Sequence, residues 1–456
     1  MTGLQDSKSL TLRNEKIDYL MSNEYKYKKW IELEKTVAKV QADLKIIPRD
    51  AYVAIKEEVN FNNFTQSKYN QNLEKIGHGF YSFVETILEG TSNTVKKYFH
   101  FGLTTQNIQQ SSQVLIIRDI NLEFNKQLFQ IISNLTDLAS QHSNSLIAAR
   151  THSKHAMPTT FGYIVSTWIE ELITAIENYQ FACKSFEEIM FGGAIGSFNS
   201  LGLIGKQMHE KIGNELNIRS MNIPSRNIQL PKIQYISSII LIANVLHKIA
   251  EATYNNSTEE ISEFTESSDE NQVGSSTMPH KINPKLSKGI IANSMKIYSL
   301  IDSSLYANTK PYEANSASYM ILDANINEVI GYFNEVLIRS VSLSSTLQFH
   351  SEKARQNILD NDGLDNSEYI MMKLSEVFGK YEAHRIIHDV AISYQNNRQI
   401  SYLESLHQNP EIKDHFSKEE IEEWLKPENY TGLSDKLTNE TVNRANEWLK
   451  KTENKS

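Results

Sequence analysis

The sequence predicts an all-α protein built on long helices, and three observations carry that prediction. Chain breakers are scarce: 18 Gly and 9 Pro stand in 456 residues, roughly half the ordinary combined usage of about 12%. Both are absent from 103–157, 163–191, 232–273 and 290–310. Within the first of these stretches Val114, Ile117, Ile120, Phe124, Leu128, Ile131, Leu135 and Leu138 recur at spacings of three and four. That is the apolar stripe of a helix packed along its length, and about 35 residues of it would run roughly 50 Å.

Taken in order, the chain falls into three expected sections. Residues 1–109 form an N-terminal helical domain, with Trp30, Ile31, Leu33 and Val37 at helical spacing. Residues 110–350 hold the long helices, the stripe recurring at Ile236, Ile240, Ala243, Leu246 and Ala250. Helices this long must lie side by side, with partner subunits covering the remaining apolar faces. Residues 351–456 carry shorter helices separated by polar loops at 360–366 and 426–432. No solenoid repeat and no strongly β-alternating domain is evident.

Composition narrows the function. The formal net charge of −9 argues against a nucleic-acid partner, which calls for a basic face. A single cysteine, Cys183, excludes an internal disulfide framework and a cysteine-rich zinc site, and suits a reducing cytosol. The polar amino terminus lacks the apolar core of a signal peptide. The longest greasy stretch, 239–246, is interrupted by Asn244 and is too short to span a bilayer. A cytoplasmic protein without a membrane partner is expected.

Function in so regular a bundle should sit where regularity breaks. The richest break is Gly274-Ser275-Ser276-Thr277-Met278-Pro279-His280-Lys281-Ile282-Asn283-Pro284. A Gly-Ser-Ser run offers backbone N–H groups and hydroxyls that can cradle an anion; Lys281 adds charge and Asn283 a directed donor. Three further breaks carry His100-Phe-Gly-Leu-Thr104-Thr105-Gln-Asn107, Arg150-Thr151-His152-Ser-Lys154-His155-Ala-Met-Pro158, and Phe191-Gly-Gly-Ala-Ile-Gly-Ser-Phe-Asn-Ser-Leu-Gly202. Gly77-His78-Gly79 adds another histidine. The first break resembles the signature loop of the fumarase/aspartase superfamily at every specified position. The His100 and Arg150 segments resemble that superfamily's other regions as adenylosuccinate lyases and their relatives carry them. The glycine-rich segment and Pro427-Glu-Asn-Tyr430-Thr-Gly432 are similar to the carboxymuconate cycloisomerase branch.

The resemblance spans nearly the whole chain. It implies an all-α, three-domain fold, a tetrameric core of central helices, and active sites shared between subunits of a homotetramer. The signature loop is expected within 269–284. The implied reaction is anti β-elimination from a succinyl-type substrate with release of fumarate, without metal or cofactor. Its dianionic intermediate requires fixed donors and positive charge. Ser275 is the implied base, activated by backbone dipoles and Lys281; His152, assisted by His78, is the implied acid. Thr104, Thr105, Thr151, Ser276, Lys281, Asn283 and Arg226 are the implied contacts of a small dicarboxylate-containing substrate. His155 orients or packs.

Several positions depart from the pattern. Asn107 and Asn227 stand where aspartate is usual, Ser153 replaces a glycine and Lys154 a glutamine. Lys288 stands where relatives carry a glutamate that pairs with the motif histidine; a like charge there makes an imidazole harder to protonate. The stretch 311–319 has no arginine, against the phosphate contacts of adenylosuccinate. His152, where bacterial cycloisomerases often place Trp, tilts toward elimination. The leading expectation is therefore a carbon–nitrogen lyase whose substrate is not adenylosuccinate itself. A cycloisomerase and a catalytically silent structural homologue stand as alternatives.

Overall fold

The computed structural model describes residues 12–267 and 277–453. The expected helices are there. We label those that position the site α1 (Asn23–Asp43), α2 (Gly79–Leu88), α3 (Thr105–Gln141), α4 (Phe161–Phe186), α5 (Leu230–Asn256), α6 (Lys285–Tyr298) and α7 (Ser316–Thr346). The stripe from Val114 to Leu138 lies on α3, whose 37 residues extend roughly 55 Å. The chain divides into two compact units, one comprising Met1–Lys126, Ile176–Leu241 and Met295–Asn334, the other Gln127–Ala175, Ile242–Ser294 and Glu335–Ser456.

In the first unit, Ser22 caps α1 by accepting from the Tyr25 N–H at 3.1 Å. Helix α1 then buries Tyr27, Trp30, Leu33 and Val37. Trp30 meets Phe80 and Phe83 of α2 edge-on, each at 5.1 Å. The central helices of this unit share one polar knot in an apolar setting. Asn121 on α3 accepts from the hydroxyls of Tyr179 on α4 and Tyr235 on α5 at 2.7 and 2.8 Å. Its amide donates to Cys183 at 3.3 Å. Phe124 packs edge-on against Phe333 of α7 at 5.1 Å. Burial pushes the Cys183 thiol up to about 12, so this sulfur is a packing group rather than a nucleophile.

In the second unit a hairpin interrupts the helices. Strands β1 (Leu146–Thr151) and β2 (Lys154–Thr160) pair antiparallel from Leu146↔Thr160 to Thr151↔Lys154. Only His152 and Ser153 remain for the turn, at φ 50° and 62°. Two successive left-handed residues make a two-residue loop that follows the twist of the strands. The hairpin was not among the sequence expectations: Ala148-Ala149-Arg150 shows no alternation to read. A second antiparallel pair joins β3 (Phe264–Glu266) to β4 (Leu347–Phe349), and Phe161 stacks on Phe349 at 4.5 Å. The C-terminal helices of this unit gather around Ile370, Leu374, Ile386, Tyr402 and Ile421.

Helix α5 alone among the described helices is long and apolar enough to cross a membrane, so its apolar run exceeds the 239–246 stretch read from sequence. Of the apolar window, 56% is packed inside the protein, as in a core helix.

One buried ion pair holds the hairpin to the rest of its unit. Arg150 grips the fully buried carboxylate of Glu263 with two hydrogen bonds of 2.6 Å. Asn357 donates to the same carboxylate at 2.9 Å. Removing one partner of such a pair leaves an uncompensated charge and costs about 3–5 kcal/mol. Arg150→Met should therefore lower the midpoint of chemical denaturation, and Arg150→Met combined with Glu263→Leu should recover much of the loss. Equal stability of wild type and Arg150→Met would remove the pair from this role.

Candidate active site

The structure distributes the expected residues over both units. His78, Thr104, Thr105 and Arg226 belong to the first; Thr151, His152, Lys281 and Asn283 belong to the second. Ser275 and Ser276 lie outside the described residues.

In the first unit, Thr104 and Thr105 stand at the N-terminus of α3, where unpaired N–H groups and the helix dipole favour an anion. Asn107 organises this corner. Its Oδ1 accepts from the Thr104 N–H at 3.1 Å, and its amide donates to the carbonyls of Met190 at 3.1 Å and Gly193 at 3.5 Å. The departure from aspartate is thereby explained, because an ionised aspartate cannot donate to two carbonyls. The glycine-rich segment it holds lies against the chain leading to Arg226. A Cβ on Gly192 would fall 2.5 Å from Pro224 Cγ, and one on Gly196 2.8 Å from the Pro224 carbonyl. These glycines are needed so that two backbones can meet.

His209, which the sequence analysis did not single out, braces the same segment. Its Nδ1 accepts from the Phe191 N–H at 3.3 Å and its Nε2 lies 3.0 Å from the Met221 carbonyl. A ring that accepts at one nitrogen and donates at the other is neutral. No motif marks it; the signal is purely spatial.

A cavity of about 720 Å³ opens beside Thr104 and Thr105, lined also by Phe80, Tyr81, Lys68, Lys96 and His100. His100, at φ 57°, sets its Nδ1 2.5 Å from the buried carboxylate of Glu34, and Phe80 packs on its ring at 5.2 Å. His78 is exposed and caps α2, its Nδ1 accepting from the Tyr81 N–H at 3.2 Å. That bond leaves the Nε2 proton free to donate.

In the second unit, His152 is exposed at the hairpin tip, and no described carboxylate bonds to it. His155 is held instead. Arg150 reaches its Nε2 at 3.2 Å and Asp365 its Nδ1 at 3.3 Å. A guanidinium only donates, so Nε2 accepts and Nδ1 carries the proton; the orienting role expected for His155 fits this clamp. Lys288 is exposed on the second turn of α6 and forms no ion pair among the described residues.

The described chain on either side of the signature segment meets at Glu266. Its carboxylate accepts from the Leu286 and Ser287 N–H groups and the Ser287 hydroxyl, each at 2.9 Å. The last residue of β3 thus caps α6, closing the chain that carries Lys281 and Asn283. Twenty residues separate acid and cap, so no capping-box pattern reveals it. The described residues contain no group of three or more metal-ligating side chains.

Comparison with known proteins places this geometry. A family model described as Lyase matches residues 11–298, and one described as Adenylosuccinate lyase C-terminus matches 363–441. The N-acetyl-S-(2-succino)cysteine lyase of Dickeya dadantii is 25% identical over 422 residues, 91% of either chain. The adenylosuccinate lyase of Methanothermobacter thermautotrophicus is 28% identical over 432 residues, 93% of this chain and 95% of that one. The crystal structure of 3-carboxy-cis,cis-muconate lactonizing enzyme from Pseudomonas putida superposes with a TM-score of 0.87 at 20% identity, covering 96% and 98% of the two chains.

Two outcomes follow from these contacts. Asn107→Asp should cost about 1–3 kcal/mol, the toll of opposing buried acceptors, read as a lower denaturation midpoint. Burial holds the His209 imidazole below its ordinary pKa. The unfolded chain then takes up the proton first, so stability should fall as pH drops below the unfolded value of about 6.5. Denaturant titrations at pH 7.5 and pH 5.5 measure the drop, and His209→Gln should reduce it.

Proposed function

Since the chain belongs to the fumarase/aspartase lyase superfamily, in the branch of adenylosuccinate lyase and carboxymuconate cycloisomerase, we propose that it eliminates a leaving group from a succinyl-type substrate and releases fumarate. Support comes chiefly from the intact signature segment, whose described flanks Glu266 ties together. Ser275 removes the proton beside a carboxylate. Lys281, Asn283 and the α3 N-terminus with Thr104 and Thr105 bind the carboxylates and stabilise the dianion as it forms. Thr151, Ser276 and Arg226 complete the substrate contacts. The reading includes a cytoplasmic homotetramer that shares sites between subunits, the three sections 1–109, 110–350 and 351–456, and catalysis without a cofactor.

The acid side decides between leaving groups. Expulsion of an amine needs a proton delivered to nitrogen, and His152 is the donor, with the His78 Nε2 proton in support. A second reading is favoured by the electrostatics around His152. No described carboxylate pairs with it, and the resemblance puts Lys288 where relatives carry the glutamate that pairs with this histidine. A thiolate, with its conjugate-acid pKa near 8.5, leaves with less help. The Dickeya dadantii relative is named for a sulfur-linked succinyl compound, so an S-succinyl thiol ranks beside the N-substituted aspartates. Lactone cycloisomerisation ranks lower because His152 is retained.

Purified protein mixed with N-substituted aspartates and S-succinyl thiols should release fumarate, followed by its absorbance. Ser275→Ala should lower that rate by about 100-fold or more, and His152→Gln should slow the amine substrates more than the thiol ones. A folded protein that releases no fumarate from either class overturns the proposal. Loss of a carboxymuconate diene chromophore without fumarate would assign cycloisomerisation instead.

A further inference from the structure

A second set of charges in the first unit is not explained by the acid–base residues. Arg226 precedes α5, Lys232 lies in its first turn, and Tyr319 and Asp323 stand one turn apart on α7. The Arg226 guanidinium covers the Tyr319 ring at 4.3 Å. Gln229 donates to the Arg226 carbonyl, and Gln113 of α3 donates to Asp323 at 3.3 Å. Lys232 is only 8% exposed, yet its ammonium stops 3.7 Å from Asp323, beyond hydrogen-bond length.

Three donors here are buried without a hydrogen-bond partner among the described residues: Arg226 Nε, Lys232 Nζ and the Tyr319 hydroxyl. A buried ammonium left in this state is costly, and its surroundings do not balance it. The one facing carboxylate, Asp323, is half exposed and already shared with Gln113. Arg226 adds a second positive charge, and the α5 N-terminus adds the positive end of a 27-residue helix dipole. Burial and Arg226 both push the Lys232 pKa down, opposed by Asp323. Asp323 and Gln113 also line a cavity of about 290 Å³ with Lys26 and Gln110, so open space reaches the Asp323 edge of the cluster.

We propose that Arg226, Lys232 and Tyr319 form an oxyanion site that takes a carboxylate or phosphate, supplied by a small molecule or by an acidic side chain of a second copy. Such a group offers two or three acceptor oxygens to three unused donors, and charge-assisted bonds to it are strong. The site deepens the lyase reading, on which it rests only for the substrate role of Arg226. There it would hold an anionic group on the leaving half of the substrate.

The test is binding, so it stands whether or not fumarate is released. Succinate and inorganic phosphate are titrated into the full-length protein by calorimetry, with chloride at matched ionic strength as control, and repeated with Lys232→Met and Arg226→Gln. One of the two anions should bind, and each variant should weaken it about tenfold or more, the worth of one charge-assisted bond. Lys232→Met should also be at least as stable as wild type without added anion, because an unbalanced buried charge is gone. If neither anion binds but Lys232→Met weakens subunit association at constant fold, a carboxylate of a second copy fills the site. Anion binding equal in wild type and variants overturns the proposal. So does a Lys232→Met protein that is destabilised, binds no anion and associates normally, since Lys232 then serves only Asp323.

Discussion

Glu263 is the constraint on which the second unit depends. Its carboxylate is fully buried, and a buried charge survives only where donors surround it. Arg150 supplies two bonds from the hairpin and Asn357 a third from the C-terminal helices. The backbone of the same residue accepts from the His350 N–H at 2.8 Å. Two distant stretches of chain, the hairpin and 350–357, are thus pinned to one strand terminus. Three residues later Glu266 repeats the device at a helix N-terminus. The strand is short, but the carboxylate before it and the one that ends it hold the hairpin and the N-terminus of α6.

The first unit reaches a comparable result without charge. Asn107 and His209 join the glycine-rich segment through neutral hydrogen bonds, and Gly192 and Gly196 permit backbone contact at Pro224. The contrast has a physical basis. The neutral bonds satisfy main-chain groups that would otherwise be orphaned in an irregular loop. The Arg150–Glu263 pair ties together side chains from elements that already satisfy their own backbones. A neutral brace tolerates burial cheaply but fails when a ring is protonated; an ion pair resists that change and fails when either partner is removed.

What was legible in the sequence follows the same division. Helix α3 was visible because its apolar stripe repeats every three or four residues from Val114 to Leu138, and α5 because its own does from Ile236 to Ala250. The hairpin was hidden because Leu146 to Thr151 is short and its core contacts fall on Ile147 and Ala148 side by side. Thr104, Lys281, Asn283 and His152 could be singled out because their segments resemble a known pattern. His209, Glu34, Glu263 and Glu266 could not, since each acts on a partner at least 18 residues away and none sits in a recognisable spacing. Asn107 read in the sequence only as a departure from the usual aspartate; two facing carbonyls make it a matched donor.

The histidines show why geometry must precede any assignment of an acid. His100 and His155 each have a carboxylate at Nδ1, which fixes the orientation of the ring. His152 and His78 have none among the described residues, and His78 spends Nδ1 on a helix cap. A group that must deliver a proton gains from being accessible, as His152 is at its turn. A group that must hold a substrate gains from being fixed, as His100 is between Glu34 and Phe80. His100 therefore stands fixed beside Thr104 and Thr105 in the wall of the cavity, while His152 stands exposed at its turn.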